Sequence, residues 1–516
     1  MLKFGEGHYK VDGNFLLALS STKSLEYSGT NFKNDNLEEL RDLTNITRLK
    51  LNGCTALSNA KVEDVLKTMT GLEYLSLLNC STVTSIDFVD YMTLRELDLE
   101  GTNVSNLSKL NDSSSIRLHT LRVNRQKVTN INSYSNLIVN VFNAASTRHG
   151  KYVVGSSITK FTGAPDDGSW ISRYEYYARG LMISGYSSSL SNSVSITIPS
   201  SLSAQLFSLG GGGSTTAERN SCGYVNYDIS DCNSIKYVYH SNWYGKFTFP
   251  SSLEILTTEV GTGYVYDLTK CTHLREMILC QGLGQDAALT TFSTLPTNNV
   301  LDEIRVVRSS LTNLKFLEKF TPANLKTLYV QGWSKIQTIS TSFVSTKGID
   351  SAPSLTSVYL RYSYLSDLTG MDSLTNLTTL YLQDNKITDI SKLSSCTKLE
   401  YAHLEGNTIK NMDALTKIST LKQVDLFTNK ISILPDLSGM ISLETLKLNE
   451  NNIENLENLK TLIKSNGTTT LRTLYLDNNP LEDEAINGYD NHDLLTKLKV
   501  AGCSTITITE TSLSSV

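Results

Sequence analysis

A repeated eleven-residue pattern is the feature of this 516-residue sequence that most restricts its fold. Four segments fit L-x-x-L-x-L-x-x-N-x-I, with alanine or valine replacing the second leucine in two of them. Their first residues, Leu377, Leu399, Leu421 and Leu443, are each 22 positions apart. Four in-phase copies of so long a motif indicate a repeat architecture, in which each repeat packs against its neighbours.

The same pattern extends with looser spacing toward both ends of the chain. Downstream copies begin at Leu471 and Leu495. Upstream copies begin at Ile46, Leu72, Leu94, Leu118, Leu274, Leu301, Leu325 and Leu355. The spacing predicts a capping coil over 1–45, leucine-rich repeats over 46–131, irregular repeats or an insertion over 132–234, and repeats with a C-terminal cap over 235–516.

The spacing of apolar residues inside each copy predicts the fold. The fourth and sixth positions alternate with polar neighbours, which is the period-two pattern of a short strand. One coil cannot bury its own leucines from both sides, so successive coils stack and their strands lie parallel, roughly 4.8 Å apart. We therefore predict a right-handed, curved leucine-rich-repeat solenoid, with a parallel sheet on its concave side and short 3-10 or loop returns on its convex side.

The ninth motif position is filled mainly by asparagine or cysteine. An asparagine amide can pair with backbone groups where the chain leaves the strand. A buried amide without a partner would cost about 1–3 kcal/mol, so this position requires a residue that finds partners or a small apolar one such as cysteine. We interpret these residues as structural, without a catalytic role. The predicted ladder consists of Cys54, Cys80, Asn385, Asn407, Asn429, Asn451, Asn479 and Cys503.

Between about 355 and 481 the repeats resemble the 22-residue class of bacterial internalins. The resemblance rests on LQDNKITDISKLSSCTKLEYAHLEGNTIKNMDALTKI at 382–418, including the I-x-D-I-x-x-L element that follows the asparagine. It implies a tight 3-10-like return on the convex side and a surface-exposed protein whose concave sheet grips a protein partner. A weaker resemblance, to another class of bacterial surface repeat, is carried by ITIPSSL at 196–202 and FTFPSSL at 247–253.

The region from about 132 to 234 lacks the motif and is rich in serine, glycine and tyrosine. Residues 132–250 hold eleven of the chain's 25 tyrosines. This composition is typical of contact loops, in which rigid rings are combined with adaptable polar groups. Degenerate coils that bury their aromatic rings would explain it equally, and the sequence leaves both interpretations open.

The strand residues between the buried leucines predict a binding surface on the concave face. Exposed aromatic rings in a row favour a partner, because tyrosine and arginine are enriched at binding hot spots. Stacking of rings across strands, which stabilises the sheet itself, is the alternative explanation. The candidate binding residues are Tyr329, Tyr359, Arg361, Tyr381, Tyr401, His403, Glu405, Asp425, Phe427 and Tyr475.

The sequence contains no recognisable catalytic, metal-binding or cofactor-binding motif. Cys271, His273 and Cys280 are close in sequence, but a fourth ligand is missing and the spacing fits no common zinc site. Cys232 and His240 could suggest a thiol nucleophile, but no region of catalytic composition accompanies them. We therefore expect a protein that is not an enzyme and that has neither a metal site nor a cofactor.

The expected function is a non-catalytic binding module for a protein or a glycan, in an adhesion role at a bacterial surface or in a secreted setting. The alternative is a structural subunit of a larger assembly, such as a phage virion or a surface layer. A net charge of -5 argues against nucleic acid as the partner. We expect no membrane span and no secretion signal, since the first apolar run, at 15–19, is short. Partner identity, oligomeric state and localisation remain open.

Overall fold

The structure is a computed structural model that divides the chain into two compact units. The first consists mainly of residues up to 271, and the second mainly of residues from 272 onward. The described residues are 2–4, 22–41, 43–112, 118–124, 126–143, 181–184, 194–210, 225–241, 245–260, 264–282, 292–309, 311–320, 322–331, 343–481 and 491–508.

In the first unit, strands β1 to β7 pair in chain order as a parallel sheet. Leucines at the fourth motif position lie opposite one another in this register, and each is buried: Leu25, Leu49, Leu75, Leu97 and Leu121. The strands are β1 Leu2–Phe4, β2 Ser24–Ser28, β3 Arg48–Asn52, β4 Tyr74–Ser76, β5 Glu96–Asp98, β6 Thr120–Asn124 and β7 Leu181–Ser184.

Short helices return the chain from one strand of this sheet to the next. In the helix Asn59–Leu66, Val62, Val65 and Leu66 are buried on the face toward the sheet leucines, at spacings of three and four residues. Ser58 caps this helix by accepting a hydrogen bond from the Lys61 amide. The remaining returns are α-helices Asn34–Glu38, Ser108–Asp112 and 135–143, and 3-10 helices Asp87–Tyr91 and Ile131–Ser133.

Residues 22–45 form a coil with the same register as the repeats that follow it. Leu25 and Tyr27 lie opposite Leu49 and Leu51 in the parallel pairing of β2 with β3. This copy is not apparent from the leucine spacing, because Thr22 and Tyr27 replace two of the motif leucines. Of the predicted capping segment, residues 5–21 lie outside the described residues.

A second parallel sheet accompanies the part of the first unit where the motif disappears. Its strand order is β8, β10, β12, β14. Along the chain these strands alternate with β9, β11 and β13, which pair with one another instead. Ile196, Tyr227, Phe247 and Tyr266 lie opposite one another in the second sheet, and all are buried. The strands are β8 Val194–Thr197, β9 Leu206–Gly210, β10 Val225–Asp228, β11 Tyr237–Ser241, β12 Gly245–Thr248, β13 Ile255–Val260 and β14 Tyr264–Asp267.

These coils explain the two segments with the I-x-I-P-x-x-L pattern. Each begins on a strand of the second sheet and turns at its proline toward the next strand of the coil. Tyr227 is buried and stacks on Phe247 at a centroid distance of 5.7 Å, so at least this tyrosine of the region belongs to the core. Residues 144–180, 185–193 and 211–224, which hold most of its tyrosines, lie outside the described residues.

In the second unit, strands β15 to β24 pair in chain order, again in parallel. The predicted leucine-rich-repeat solenoid of parallel strands is confirmed. The strands are β15 Glu276–Gly282, β16 Glu303–Ser309, β17 Thr327–Gln331, β18 Ser357–Arg361, β19 Thr379–Tyr381, β20 Tyr401–His403, β21 Gln423–Asp425, β22 Thr445–Lys447, β23 Thr473–Tyr475 and β24 Thr505–Thr507. The returns are helices Phe316–Phe320 and Asn491–Ala501 and 3-10 helices Ile349–Ser351, Met371–Ser373, Ser391–Ser395, Leu415–Lys417 and Glu457–Leu462.

Each ninth-position asparagine links its own coil to its neighbour. The Asn407 amide nitrogen donates to the Leu382 carbonyl at 3.0 Å and to the Leu404 carbonyl at 2.9 Å, and its oxygen accepts from the Ile387 amide at 3.1 Å. Cys80 takes a similar place in the first unit, since its thiol donates to the carbonyl of Leu51 in the preceding coil. The equivalent asparagines, all buried, are Asn385, Asn429, Asn451 and Asn479.

The residue before this position has a left-handed backbone in ten coils of the described residues, and in six of them it is not glycine. Asp384, Thr428 and Glu450 have φ values of 56°, 55° and 58°. Left-handed backbone is unfavourable for residues with a Cβ, and the paired asparagine turn holds them in it. At Gly406, a Cβ would lie 2.6 Å from Asp384 Oδ1, so the neighbouring coil adds a steric reason for glycine.

The predicted repeat copy beginning at Leu495 is wrong. Residues Asn491–Ala501 form a helix, and the final strand is Thr505–Thr507. Cys503 is buried but precedes that strand, so it does not share the position of Cys54 and Cys80. The first and fourth motif positions are three residues apart, a spacing that also places side chains on one helix face. The buried face of this helix consists of Asn491, Leu494, Leu495, Leu498 and Ala501.

Replacing Asn429 with leucine tests the asparagine ladder. The change removes donors from the Leu404 and Leu426 carbonyls and an acceptor from the Ile409 amide. We expect the free energy of unfolding to fall by about 2–4 kcal/mol, because buried backbone groups lose their partners. Urea denaturation followed by circular dichroism measures this. The exposed Asn452→Leu is the control, and equal effects of the two changes would contradict the interpretation.

The prediction that 132–234 stay stacked in the solenoid can be tested by limited proteolysis. Strands β8 and β10 fall inside this segment, and β10 also pairs with β12 outside it. Because this pairing crosses the boundary, we expect proteases to produce nicks without releasing a compact fragment. A stable product of about 132–234, identified by mass spectrometry, would show an independent domain instead.

Candidate functional site

Four rings on the exposed face of the second unit's sheet form a continuous stack, which we call the tyrosine ladder: Tyr329, Tyr359, Tyr381 and His403. Successive ring centroids are 4.1, 4.7 and 4.2 Å apart, and their planes differ by 5°, 14° and 11°. These residues occupy the fifth motif position of successive coils and lie opposite one another in the strand register. The ladder therefore follows directly from the parallel pairing.

The local sequence fixes the direction in which these rings point. The fourth and sixth positions on either side are buried, as for Leu380 and Leu382 around Tyr381. Since side chains alternate along a strand, the fifth position faces away from the core. Tyr359 and Tyr381 have a neighbouring ring on both flat faces, Tyr329 and His403 on one, and all four side chains are partly exposed. Burial raises the pKa of Tyr329 to about 12 and also raises that of Tyr381.

An arginine ends the ladder on its N-terminal side. The Arg305 guanidinium carbon lies 4.5 Å from the Tyr329 ring centroid, within reach of a cation–π interaction. Arg305 also forms an ion pair with Glu303, and its Nε lies 3.5 Å from Glu276 Oε1. Arg305 is not among the residues predicted from the sequence, although it occupies the fifth position of the copy beginning at Leu301. Its register with Tyr329 follows from that position.

A carboxylate ends the ladder on its C-terminal side. Asp425 Oδ2 lies 2.9 Å from His403 Nδ1 and 3.0 Å from Lys447 Nζ. Gln423 Nε2 donates to both oxygens of Asp425, at 3.1 and 3.2 Å. Burial alone would raise the pKa of Asp425, but its bonds with His403 and Lys447 hold that pKa below the usual value.

The remaining candidates lie around the ladder. Arg361 lies with its guanidinium carbon 5.9 Å from the Tyr381 ring centroid. Tyr401 is 38% exposed at the third position of its coil, and Glu405 and Phe427 are partly buried at the seventh position of theirs. Tyr475 lies opposite Lys447 in the register, so Asp425 and Lys447 separate it from the rings.

The first unit carries charged side chains on the corresponding face. Arg122 Nη1 lies 3.0 Å from Glu100 Oε2, and Arg48 lies over the Tyr74 ring at 3.5 Å. The first contact is a salt bridge and the second a cation–π pair, so both arginine charges are compensated by neighbours within the same unit. The two units therefore offer chemically different surfaces at equivalent motif positions.

The cysteines considered as nucleophile or metal ligand are core residues. Cys232 and Cys271 are fully buried, and burial raises the pKa of each thiol to about 12. The Cys232 thiol donates to the Ile198 carbonyl at 3.4 Å. A protonated thiol without access to solvent is a poor nucleophile and a poor ligand. The side chains of His240 and Cys280 lie outside the described residues.

Comparison with known proteins agrees with this geometry. The family model of Leucine Rich repeats (2 copies) matches residues 353–395 and 375–417. Residues 353–417 are leucine-rich repeats. The predicted leucine-rich repeats are thereby confirmed for this part of the chain. Among curated proteins, none matches the chain significantly.

Three solved structures are similar to parts of the chain or to nearly all of it. An internalin of Listeria monocytogenes is 21% identical, with 57% of this chain and 89% of that one covered and a TM-score of 0.34. Internalin C2 of the same species is 24% identical, with 35% and 76% covered and a TM-score of 0.28. A leucine-rich-repeat protein of Leptospira interrogans is 16% identical, with 99% and 100% covered and a TM-score of 0.38.

Where the structure describes the chain, every helix is too short or too polar to span a bilayer.

The carboxyl group of Glu276 beside Arg305 provides a pH test of this surface. Glu276 is 5% exposed, and burial together with repulsion from Glu303 raises its pKa to about 7. Because this value exceeds that of the unfolded chain, the stabilising contribution is complete below about pH 4.3 and is lost as the pH rises through 7. We expect a loss of about 3–4 kcal/mol between pH 4 and pH 8 from this group.

Glu276→Gln removes this contribution, since glutamine does not titrate. Urea denaturation at several pH values measures the free energy of unfolding of both proteins. As the pH rises, the variant should become increasingly more stable relative to the parent. The exposed Glu318→Gln should show no such trend. Parallel pH profiles for the parent and Glu276→Gln would refute a raised pKa at this position.

Proposed function

We propose that this chain is a non-catalytic binding module that recognises a protein through the tyrosine ladder and the charged residues around it. The observation that carries the proposal is a row of four stacked rings, partly exposed and held on paired strands. A rigid surface loses little conformational entropy on binding, so its contacts contribute more of their energy to affinity. Leucine-rich repeats commonly bind proteins, which supports the same conclusion.

The orientation of the rings favours a protein over a glycan. Sugars bind aromatic side chains mainly by lying against the flat face of a ring. In the ladder the inner faces are covered by neighbouring rings, and the guanidinium of Arg305 lies over Tyr329 at one end. What remains for a partner is a row of ring edges and phenol oxygens, which suits hydrogen bonding to polar groups of a protein surface.

The charges around the ladder also suit a protein partner. Arg305 and Arg361 lie near the rings, while Glu405 and Asp425 lie at the C-terminal end. Charges of both signs within one surface favour a partner with its own mixed pattern, whereas a polyanion would require basic residues alone. This arrangement also sets the orientation of the partner along the row.

Removing the phenol groups while keeping the rings gives the sharpest test. A triple variant, Tyr329, Tyr359 and Tyr381 each changed to phenylalanine, retains the stack but loses its polar row. Full-length parent and variant, immobilised at equal density, would be exposed to surface proteins from cells of the source organism and its host. We expect the specifically retained protein to bind the variant at least about 10-fold more weakly, because hot-spot changes cost 2 kcal/mol or more.

Two controls accompany this measurement. Lys392→Ala lies on an exposed 3-10 return and should leave binding unchanged. Tyr381→Ala removes a complete ring and should weaken binding by about 1–4 kcal/mol. If the triple variant binds the partner as tightly as the parent does and Lys392→Ala does not bind it, the recognition surface lies on the returns instead of on the ladder.

The alternative function is a structural subunit of a larger assembly. The same exposed row could contact further copies of the chain, because a surface patch of edges and charges also suits subunit contacts. Size-exclusion chromatography with light scattering distinguishes the two proposals. A monomer supports the binding module, whereas a closed oligomer that the triple variant dissociates supports the subunit.

A further inference from the structure

Three potential metal ligands meet at the C-terminal end of the tyrosine ladder. His403 and Glu405 come from one coil and Asp425 from the next, and one ligand atom of each lies within 4.8 Å of the other two. Donors bound tetrahedrally to one zinc ion at about 2.1 Å lie about 3.4 Å apart, so the longest of these separations has to shorten by up to about 1.4 Å when an ion binds. No metal site was expected from the sequence, because these residues are separated by up to 22 positions and form no local motif.

A buried oxygen without a partner points to a missing ligand at this place. Glu405 Oε2 is inaccessible to solvent and accepts no hydrogen bond. Leaving such an oxygen unpaired in a folded protein is unfavourable, particularly when the carboxyl is charged. A charged carboxyl group in this place requires a compensating positive charge. A bound cation would supply that charge.

We propose that the His403 imidazole and the Glu405 and Asp425 carboxylates form a binding site for a divalent zinc ion. An imidazole with two carboxylates is a ligand set that Zn²⁺ accepts, and a fourth position stays open for water or for a group from a partner. The two carboxylates neutralise the charge of the ion. The site stands whether or not the ladder binds a protein, since it depends on these three side chains alone.

Lys447 decides how strongly the site binds. Its ammonium group lies 3.0 Å from Asp425 Oδ2 and occupies the oxygen that also contacts His403. An incoming ion therefore competes with this ammonium group for Asp425 or uses Oδ1, which accepts a longer bond of 3.2 Å from Gln423. Removing the positive charge of Lys447 should accordingly strengthen zinc binding, whereas removing a ligand should weaken it.

Isothermal titration of the full chain with zinc chloride, after dialysis against a chelator, measures the site directly. We expect the parent to bind one zinc ion per chain. His403→Phe and Glu405→Gln should each bind zinc at least about 10-fold more weakly or not at all. Phenylalanine keeps a ring against Tyr381, and glutamine keeps the shape of Glu405, so both variants should fold. Lys447→Gln should bind zinc more tightly than the parent. Circular dichroism checks that each variant retains its fold.

The matched control is Asp477→Asn, which removes a carboxylate from the motif position that corresponds to Glu405. It should leave zinc affinity unchanged. Cobalt replacing zinc in the parent should give visible d–d absorption without thiolate charge transfer, because no cysteine is among the proposed ligands. The proposal is overturned if the parent binds no zinc, if thiolate absorption appears, or if Glu405→Gln and Asp477→Asn bind zinc as the parent does.

Discussion

The structure depends on the burial of each coil's leucines by the coil beside it. A leucine on a three-residue strand such as Thr379–Tyr381 has too few neighbours within its own coil to be removed from water. Parallel pairing places Leu380 between Val358 and Ala402, and all three are fully buried. The asparagines add a second link, because each donates to carbonyl groups in two coils. Stability is therefore shared between neighbours, as is expected of a repeat array.

This constraint on the core determines what the exposed face can do. Once the fourth and sixth positions are held in register, the fifth positions are held in register as well. The spacing between paired strands, about 4.8 Å, is close to the distance at which aromatic rings stack. Tyr329, Tyr359, Tyr381 and His403 can therefore stack without distortion of the backbone. Ladder stability and partner recognition are compatible, because stacking uses the ring faces and leaves the edges exposed.

Charges are distributed unevenly along this face. Arg305 at one end is balanced by Glu303 and Glu276, and Asp425 at the other end by Lys447. Glu405 lies beside Asp425 with a buried oxygen that has no partner. Glu276 Oε1 and Glu303 Oε1 at the other end are also buried without a hydrogen bond, but both lie near the Arg305 guanidinium, whereas Glu405 has no ion pair among the described residues.

The sequence by itself determined the repeat, the strand positions and the buried leucines, because a motif of eleven positions repeated every 22 residues is compatible with few folds. It also indicated the ninth-position asparagines and most of the residues around the ladder. It failed at Leu495, where leucine spacing suits a helix as well as the motif, and in the coils of the second sheet, where Tyr227, Phe247 and Tyr266 replace leucines.

Only the tertiary structure decided which polar and aromatic side chains meet. The ring stack, the contact of Arg305 with Glu276, and the meeting of His403, Glu405 and Asp425 all join residues of different coils. Such contacts depend on the register between coils and on side-chain direction, whereas a motif records only the spacing within one coil. Burial is a property that each coil's apolar pattern already encodes, but a site is built from coils that are adjacent in space and distant in sequence.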